Sequence, residues 1–116
     1  MPVQLSVSIR GERGATVMRL RGELDLASHR EFEVALAGAL RSPPERVVID
    51  LTELEFMDVA GMRAMLRSQE RAEAAGKQLV LAAAVPGVRR LLWLTGQDQA
   101  FRTFDSVPEA IGADRH

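Results

Sequence analysis

Residues 47–61 read VVIDLTELEFMDVAG, and the fold turns on how this stretch is divided. Val47, Val48 and Ile49 are a continuous β-branched run with no polar residue alternating through it. A short run of that kind is expected of a central strand covered on both faces. Thr52 to Met57 read as a crossing loop, and Asp58 is placed to cap the helix that follows. Met62, Met65, Leu66, Gln69 and Ala72 fall on one stripe of that helix, and Gly76 ends it. A covered strand feeding an amphipathic helix is the unit of a sheet with helices packed on it.

Working back from this unit, Pro43-Pro44 marks a loop. Before it, Phe32, Ala35, Leu36, Ala39 and Leu40 share one helical face. Ser28 begins that helix, with Glu31 three residues on at the capping-box spacing. Val3, Leu5, Val7 and Ile9 alternate with polar residues, as in a half-buried strand. Gly11 to Gly14 make a turn, and Val17, Met18 and Leu20 form a second strand, so the two read as a hairpin. Gly22-Glu23-Leu24-Asp25 leads off it.

Working forward, Leu79, Val80 and Leu81 are another short apolar strand. Pro86 suits the first position of a third helix, whose face is Val88, Leu91, Leu92 and Thr95 and whose stop is Gly96. Phe101, Thr103 and Phe104 read as a short edge strand, and Pro108 to Ile111 as a final helical turn. The expected order is β-β-α-β-α-β-α-(β)-α. The fold class is α/β: a mixed sheet of four to five strands packed with about four helices. Residues 1–112 are expected to form one domain and residues 113–116 a short polar tail.

A chain of 116 residues supports one domain and buries enough surface to need no metal or disulfide. The absence of cysteine removes disulfides, thiolate-bound zinc, iron–sulfur clusters and a thiol nucleophile together. A net charge of −1 provides no basic field for nucleic acid or an anionic membrane. No apolar stretch approaches the roughly 20 residues that span a bilayer. MPVQLSVSIRGERG lacks the charged start and apolar core of a signal peptide, so a cytoplasmic location is expected.

The search for chemistry finds little. No phosphate-binding loop of either common pattern is present. His29 and His116, the two histidines, read as solvated side chains, and no cofactor or metal is expected. Glu23 and Asp25 flank Leu24, and Asp50, Glu53, Glu55 and Asp58 crowd the stretch after the central strand. Turn chemistry and capping account for these carboxylates. Acid–base work needs an enclosing pocket, and of the five aromatic residues Phe32 and Phe56 read as core. No enzymatic activity is expected.

Three elements together resemble one family. Arg21-Gly22-Glu23-Leu24-Asp25 resembles the G-E-[LI]-D element of STAS domains, the anti-sigma-factor antagonist family. Val47 to Leu51 with Leu54 to Gly61 resembles that family's V-x-D-L…F-[ML]-D-S-[ST]-G element. Val88 to Gly96 is similar to its third helix, and Phe101 to Ser106 to its closing segment. The likeness runs over nearly the whole chain in the right order.

The resemblance implies a small domain that does no chemistry itself. It binds an anti-sigma factor, usually a serine kinase, and so frees a sigma factor for transcription. The kinase reverses this by phosphorylating a serine at the tip of the second helix. At that position this chain has Val59, followed by Ala60, and neither carries a hydroxyl. The usual switch is therefore not expected to operate. Asp25, Asp58, Val59, Ala60, Gly61, Met62 and Arg63 are the partner-binding residues implied, while Met62 also reads as core and Gly61 as a point of close backbone approach. An alternative stays open: a non-enzymatic scaffold subunit of a stress-signalling or lipid-transport assembly. Ser28 and Thr52 read as structural hydroxyls and Ser68 as a solvated one. Arg63 and Arg67 point away from the apolar stripe as solvated surface, and Trp93, off its own helix face, is expected to fold onto the sheet edge.

Overall fold

A computed structural model describes residues 4–113 of the chain. Val3, His116 and most of the expected polar tail lie outside the described residues. The elements run β1 (Ser6–Glu12), β2 (Ala15–Leu24), α1 (His29–Ala39), β3 (Arg46–Met57), α2 (Val59–Ala74), β4 (Gln78–Ala82), α3 (Pro86–Leu94), a 3-10 turn (Gln97–Gln99), β5 (Arg102–Phe104) and α4 (Val107–Gly112). The five strands form one sheet in sequence order. The β1–β2 pair is antiparallel, and every later pair is parallel. Parallel neighbours need crossovers, and α1, α2 and α3 provide them. This is the mixed sheet with four helices that the alternation of elements predicts.

The covered strand behaves as its composition requires. Val47 and Ile49 enter the large core with Met18, Leu20, Phe32, Leu36, Met65 and Leu81. Val48, pointing the other way, joins Ala15, Val17, Val80, Ala110 and Ile111 beneath α4. Beyond the reach of α4 the second face turns charged. Arg19 meets Asp50 at 3.3 Å and Glu53 at 3.6 Å, and Arg21 meets Glu53 at 3.5 Å.

The stretch 52–57 is not a crossing loop: β3 continues through it to Met57. Arg19 pairs with Asp50 but Arg21 with Glu53, and Gly22 pairs with Leu54 but Glu23 with Phe56. Each shift inserts one extra residue into β3, the signature of a β-bulge. The core-facing positions therefore run Ile49, Leu51, Leu54, Met57. This broken period hides a strand from a search for strict alternation. Gly22, at φ +103°, takes a backbone conformation open to glycine at the second shift.

The capping box at Ser28 does not form. Its side chain makes no cap bond to the helix. The Ser28 hydroxyl instead donates to the Glu23 carbonyl at 2.7 Å and accepts from the Asp25 N–H at 3.0 Å. Asp25 Oδ1 instead folds the turn before the helix, accepting from the N–H groups of Ala27 at 3.0 Å and Ser28 at 3.1 Å, while the Asp25 backbone carbonyl accepts from the His29 N–H at 2.9 Å.

Candidate partner-binding site at the tip of the second helix

β2 and β3 run parallel, so their ends deliver two chain segments to one place: residues 24–28 and residues 56–63. Asp58 joins them. Its Oδ1 accepts from the Gly61 N–H at 2.9 Å, closing the first turn of α2 as an N-cap. Its Oδ2 accepts from the Leu26 N–H at 3.2 Å, and its own N–H donates to the Leu24 carbonyl at 3.2 Å. One aspartate thus caps a helix and ties it to the neighbouring loop.

Gly61 permits this approach. A Cβ built there would run into the Leu24 carbonyl oxygen and lie 2.8 Å from the carbonyl carbon. The backbone that Gly61 admits is therefore the protein's own. Met62 is buried in the main core. Of the residues implied by the family likeness, Gly61 and Met62 shape the tip from beneath, and Asp25 holds its own loop.

The outward side carries the accessible chemistry. Val59 is 52% exposed, although valine is normally buried. Ala60 and Asp58 are half-buried beside it, and Arg63 is exposed one turn on. Two further apolar residues close to these in the chain are exposed, Leu26 in the neighbouring loop and Phe56 beside a cleft lined by Leu91 and Leu94 of α3. Leu26, whose N–H is held by Asp58, is 74% exposed. Phe56, expected in the core, is 48% exposed, because the extra residue in β3 turns it outward. The signal for Phe56 was the spacing Leu51, Leu54, Met57, which leaves it out of phase with the core. Leu26 offered no periodic signal, since it sits in a turn.

Arg67 is not free surface. Its Nε donates to Glu33 Oε1 at 2.8 Å and its Nη2 to Glu33 Oε2 at 3.3 Å, clasping α2 to α1. The hydrogen bond from Arg67 holds the Glu33 carboxyl down at about 2, against a smaller opposing effect of burial. His29, expected to be solvated, is drawn into the same clasp, with Nδ1 2.9 Å from Glu33 Oε2. Trp93 does not fold onto the sheet edge. It is 67% exposed, on the rim of a cleft floored by Leu81, Leu92 and Thr103.

The hydroxyls of α2 and β3 make local hydrogen bonds. Ser68, expected to be solvated, is buried and donates to the Ala64 carbonyl at 2.9 Å. Thr52 Oγ1 donates to Asp50 Oδ1 at 2.6 Å. Asp50 is itself buried, also accepts from the Thr52 N–H at 3.0 Å and is paired with Arg19, so its carboxylate is spent on structure. Among the described residues no group of three or more histidines and carboxylates is placed to hold a metal ion. No helix among them is long and apolar enough to cross a membrane. The tip therefore presents a compact surface: apolar side chains around one carboxylate, with an arginine at its edge. Such a surface suits contact with another protein.

Comparison with known proteins gives a consistent result. The sequence model described as "Mlab, STAS domain" matches residues 7–105. The anti-sigma-F factor antagonist RsfB of Mycobacterium tuberculosis is 28% identical over 110 residues, covering 95% of this chain and 89% of that protein. The anti-sigma F factor antagonist of Paenibacillus polymyxa is 26% identical over 110 residues, with 94% of each chain covered. The crystal structure of an anti-sigma factor antagonist from Mycobacterium paratuberculosis superposes with a TM-score of 0.87 at 25% identity, covering 97% of this chain and 96% of that one.

Proposed function

Because the chain belongs to the STAS domain family, we propose that it is an anti-sigma factor antagonist whose helix tip is always ready to bind. On this reading the protein acts in the cytoplasm by association and not by catalysis. It occupies an anti-sigma factor, of the kinase type, and so releases a sigma factor for transcription. Asp58, Val59, Ala60 and Arg63 make the contact, with Leu26 and Phe56 widening it. The names carried by its relatives support the partner class.

The observation that carries the proposal is the exposure of Val59 on the outer side of the first turn of α2. In the family pattern this position holds the phosphorylated residue. A phosphate there would bring about −1.5 to −2 charges beside Asp58 and force partner and phosphate apart. Valine accepts no phosphate, and its exposed apolar surface favours a contact that excludes water. The hydroxyls of Ser28 and Ser68 are buried and hydrogen-bonded, which argues against a substitute site at either.

The test is capture of partners from the native cell lysate with wild-type and Val59→Glu bait, followed by titration of the purified partner. The expected result is recovery of a kinase-type anti-sigma factor. Its affinity should fall about tenfold to a hundredfold with Val59→Glu, since the new carboxylate is buried without a counter-charge. Incubation with that kinase and ATP should leave the wild type unlabelled at position 59, while Val59→Ser restores an acceptor. Recovery of membrane-transport or sensor components instead would replace this reading with that of a scaffold subunit.

A further inference from the structure

The two edges of the sheet are built differently. β5 is three residues long and begins with an arginine. Short, charged edges resist pairing with other strands. β1 is seven residues long, contains no proline, and pairs with β2 in unbroken register from Ser6 to Glu12. Its segment Ser6 to Ile9 carries no charge. Ile9, opposite the buried Met18, is 50% exposed on the helix-covered face of the sheet. No described strand pairs with the outer side of β1. A row of backbone donors and acceptors is left there, with charge confined to Arg10 and Glu12 at the far end of the strand.

We infer that β1 is a homodimerisation edge, at which two copies pair antiparallel about a twofold axis through Ser8 and merge two five-stranded sheets into one of ten.

The sequence of the strand selects both the partner and the register. An antiparallel twofold through Ser8 places Val7 opposite Ile9 of the second copy, and Ile9 opposite its Val7. Cross-strand apolar pairs of this kind stabilise a sheet. The same register sets Arg10 against Ser6 and Glu12 against Gln4, so no like charges meet. A twofold one residue earlier, at Val7, sets Ile9 against Leu5, which lies outside β1 and whose side chain is already buried in the chain's own core. A twofold at Ile9 keeps one apolar pair and sets Val7 against Gly11. A twofold at Arg10 opposes two arginines. α1 packs on both β1 and β2, so the helices of the two copies come to lie on the same side of the extended sheet. The contact is essentially one strand pair, smaller than the roughly 1,200 Å² of a standard interface, so the dimer forms in proportion to protein concentration. The edge lies in a different part of the fold from the α2 tip, and pairing there does not depend on what the tip binds.

The chain has no cysteine, which makes the test clean. Residues directly opposite in an antiparallel ladder have Cα atoms about 4.5–5.5 Å apart, within disulfide range. Under mild oxidation the full-length Ser8→Cys variant should form a covalent dimer far faster than Gln99→Cys, an exposed control on the 3-10 turn. A mixture of Ser6→Cys and Arg10→Cys should cross-link as a heterodimer, while neither does so alone. Sedimentation velocity of the wild type should show dimer growing with concentration. Ile9→Lys should weaken it roughly tenfold, through two lost apolar pairs and a charge on the edge. Ser8→Cys cross-linking no faster than the control, or a wild type that sediments as a monomer at millimolar concentration, would overturn the inference.

Discussion

On the inward side of the first turn of α2, Gly61 and Met62 press against Leu24 and the main core. On the outward side, a few ångströms away, Val59 and Arg63 face solvent with Ala60 half-covered between them. The inward residues fix where the helix begins, and substitutions there act on the fold. The outward residues make no packing contribution that the fold requires, so substitutions there act on association alone. Asp58 belongs to both sides: its Oδ1 serves the helix and its Oδ2 the loop that presents Leu26. The tip is therefore a rigid platform with a replaceable upper surface.

The sharpest way to break this contrast is Gly61→Ala. Its methyl group meets a backbone carbonyl that has no rotamer to move into, so a loss of about 3 kcal/mol or more is expected by chemical denaturation. A neutral result would mean that α2 can shift away from β2, and the platform is not rigid. Next comes Asp58→Ala, which leaves the Gly61 and Leu26 N–H groups without their acceptor. A loss of about 1–2 kcal/mol is expected, together with faster hydrogen exchange at Leu26, the readout that separates the bridge from simple capping.

The Glu33–Arg67 clasp below the tip gives a smaller effect that depends on pH. The folded carboxyl is held at about 2, below its unfolded value. The group therefore binds its proton more weakly when folded. Its contribution is fully present above the unfolded value, and is lost as pH falls through the ordinary glutamate range towards 2. The Glu33→Gln variant should show a shallower decline of stability over that window in acid titrations followed by circular dichroism. The smallest expected change is in the stability of Val59→Glu, within about 0.5 kcal/mol of wild type, as for other exposed substitutions. A larger loss would place Val59 among the inward residues and end the distinction.

Much of the fold was legible because its signals are local. The run Val47 to Ile49 announced a strand covered on both faces. Pro86 and Gly96 marked the two ends of α3, and the stripe beginning at Met62 named the buried side of α2. What could not be read depended on residues distant in the chain. The bulges in β3 exist only relative to β2, and they moved Phe56 from an expected core position to the surface; the spacing Leu51, Leu54, Met57 was the one local trace of them. Ser28 read as a cap from its spacing to Glu31, but its hydroxyl goes to the Glu23 carbonyl instead. His29 and Arg67 looked like solvated residues until α1 and α2 were set side by side around Glu33. At the tip, the sequence pointed to residues 58–63 but could not say that Gly61 answers to Leu24, 37 positions earlier.

Arg46, the first residue of β3, has a consequence for how the chain is completed during synthesis. It is buried, and its guanidinium donates to the carbonyls of Ala110 at 2.8 Å and Ala113 at 3.0 Å, and to Gln78 Oε1 at 2.6 Å. Two of these acceptors lie 64 and 67 positions later in the chain. On a ribosome the central strand is made long before α4 emerges, and until then Arg46 keeps water in place of those carbonyls. The second face of the sheet cannot close around a dry Arg46 before the last helix arrives. A nascent chain stalled short of residue 110 would hold a folded-looking first face and a wet, open second one, a difference that a protease can detect.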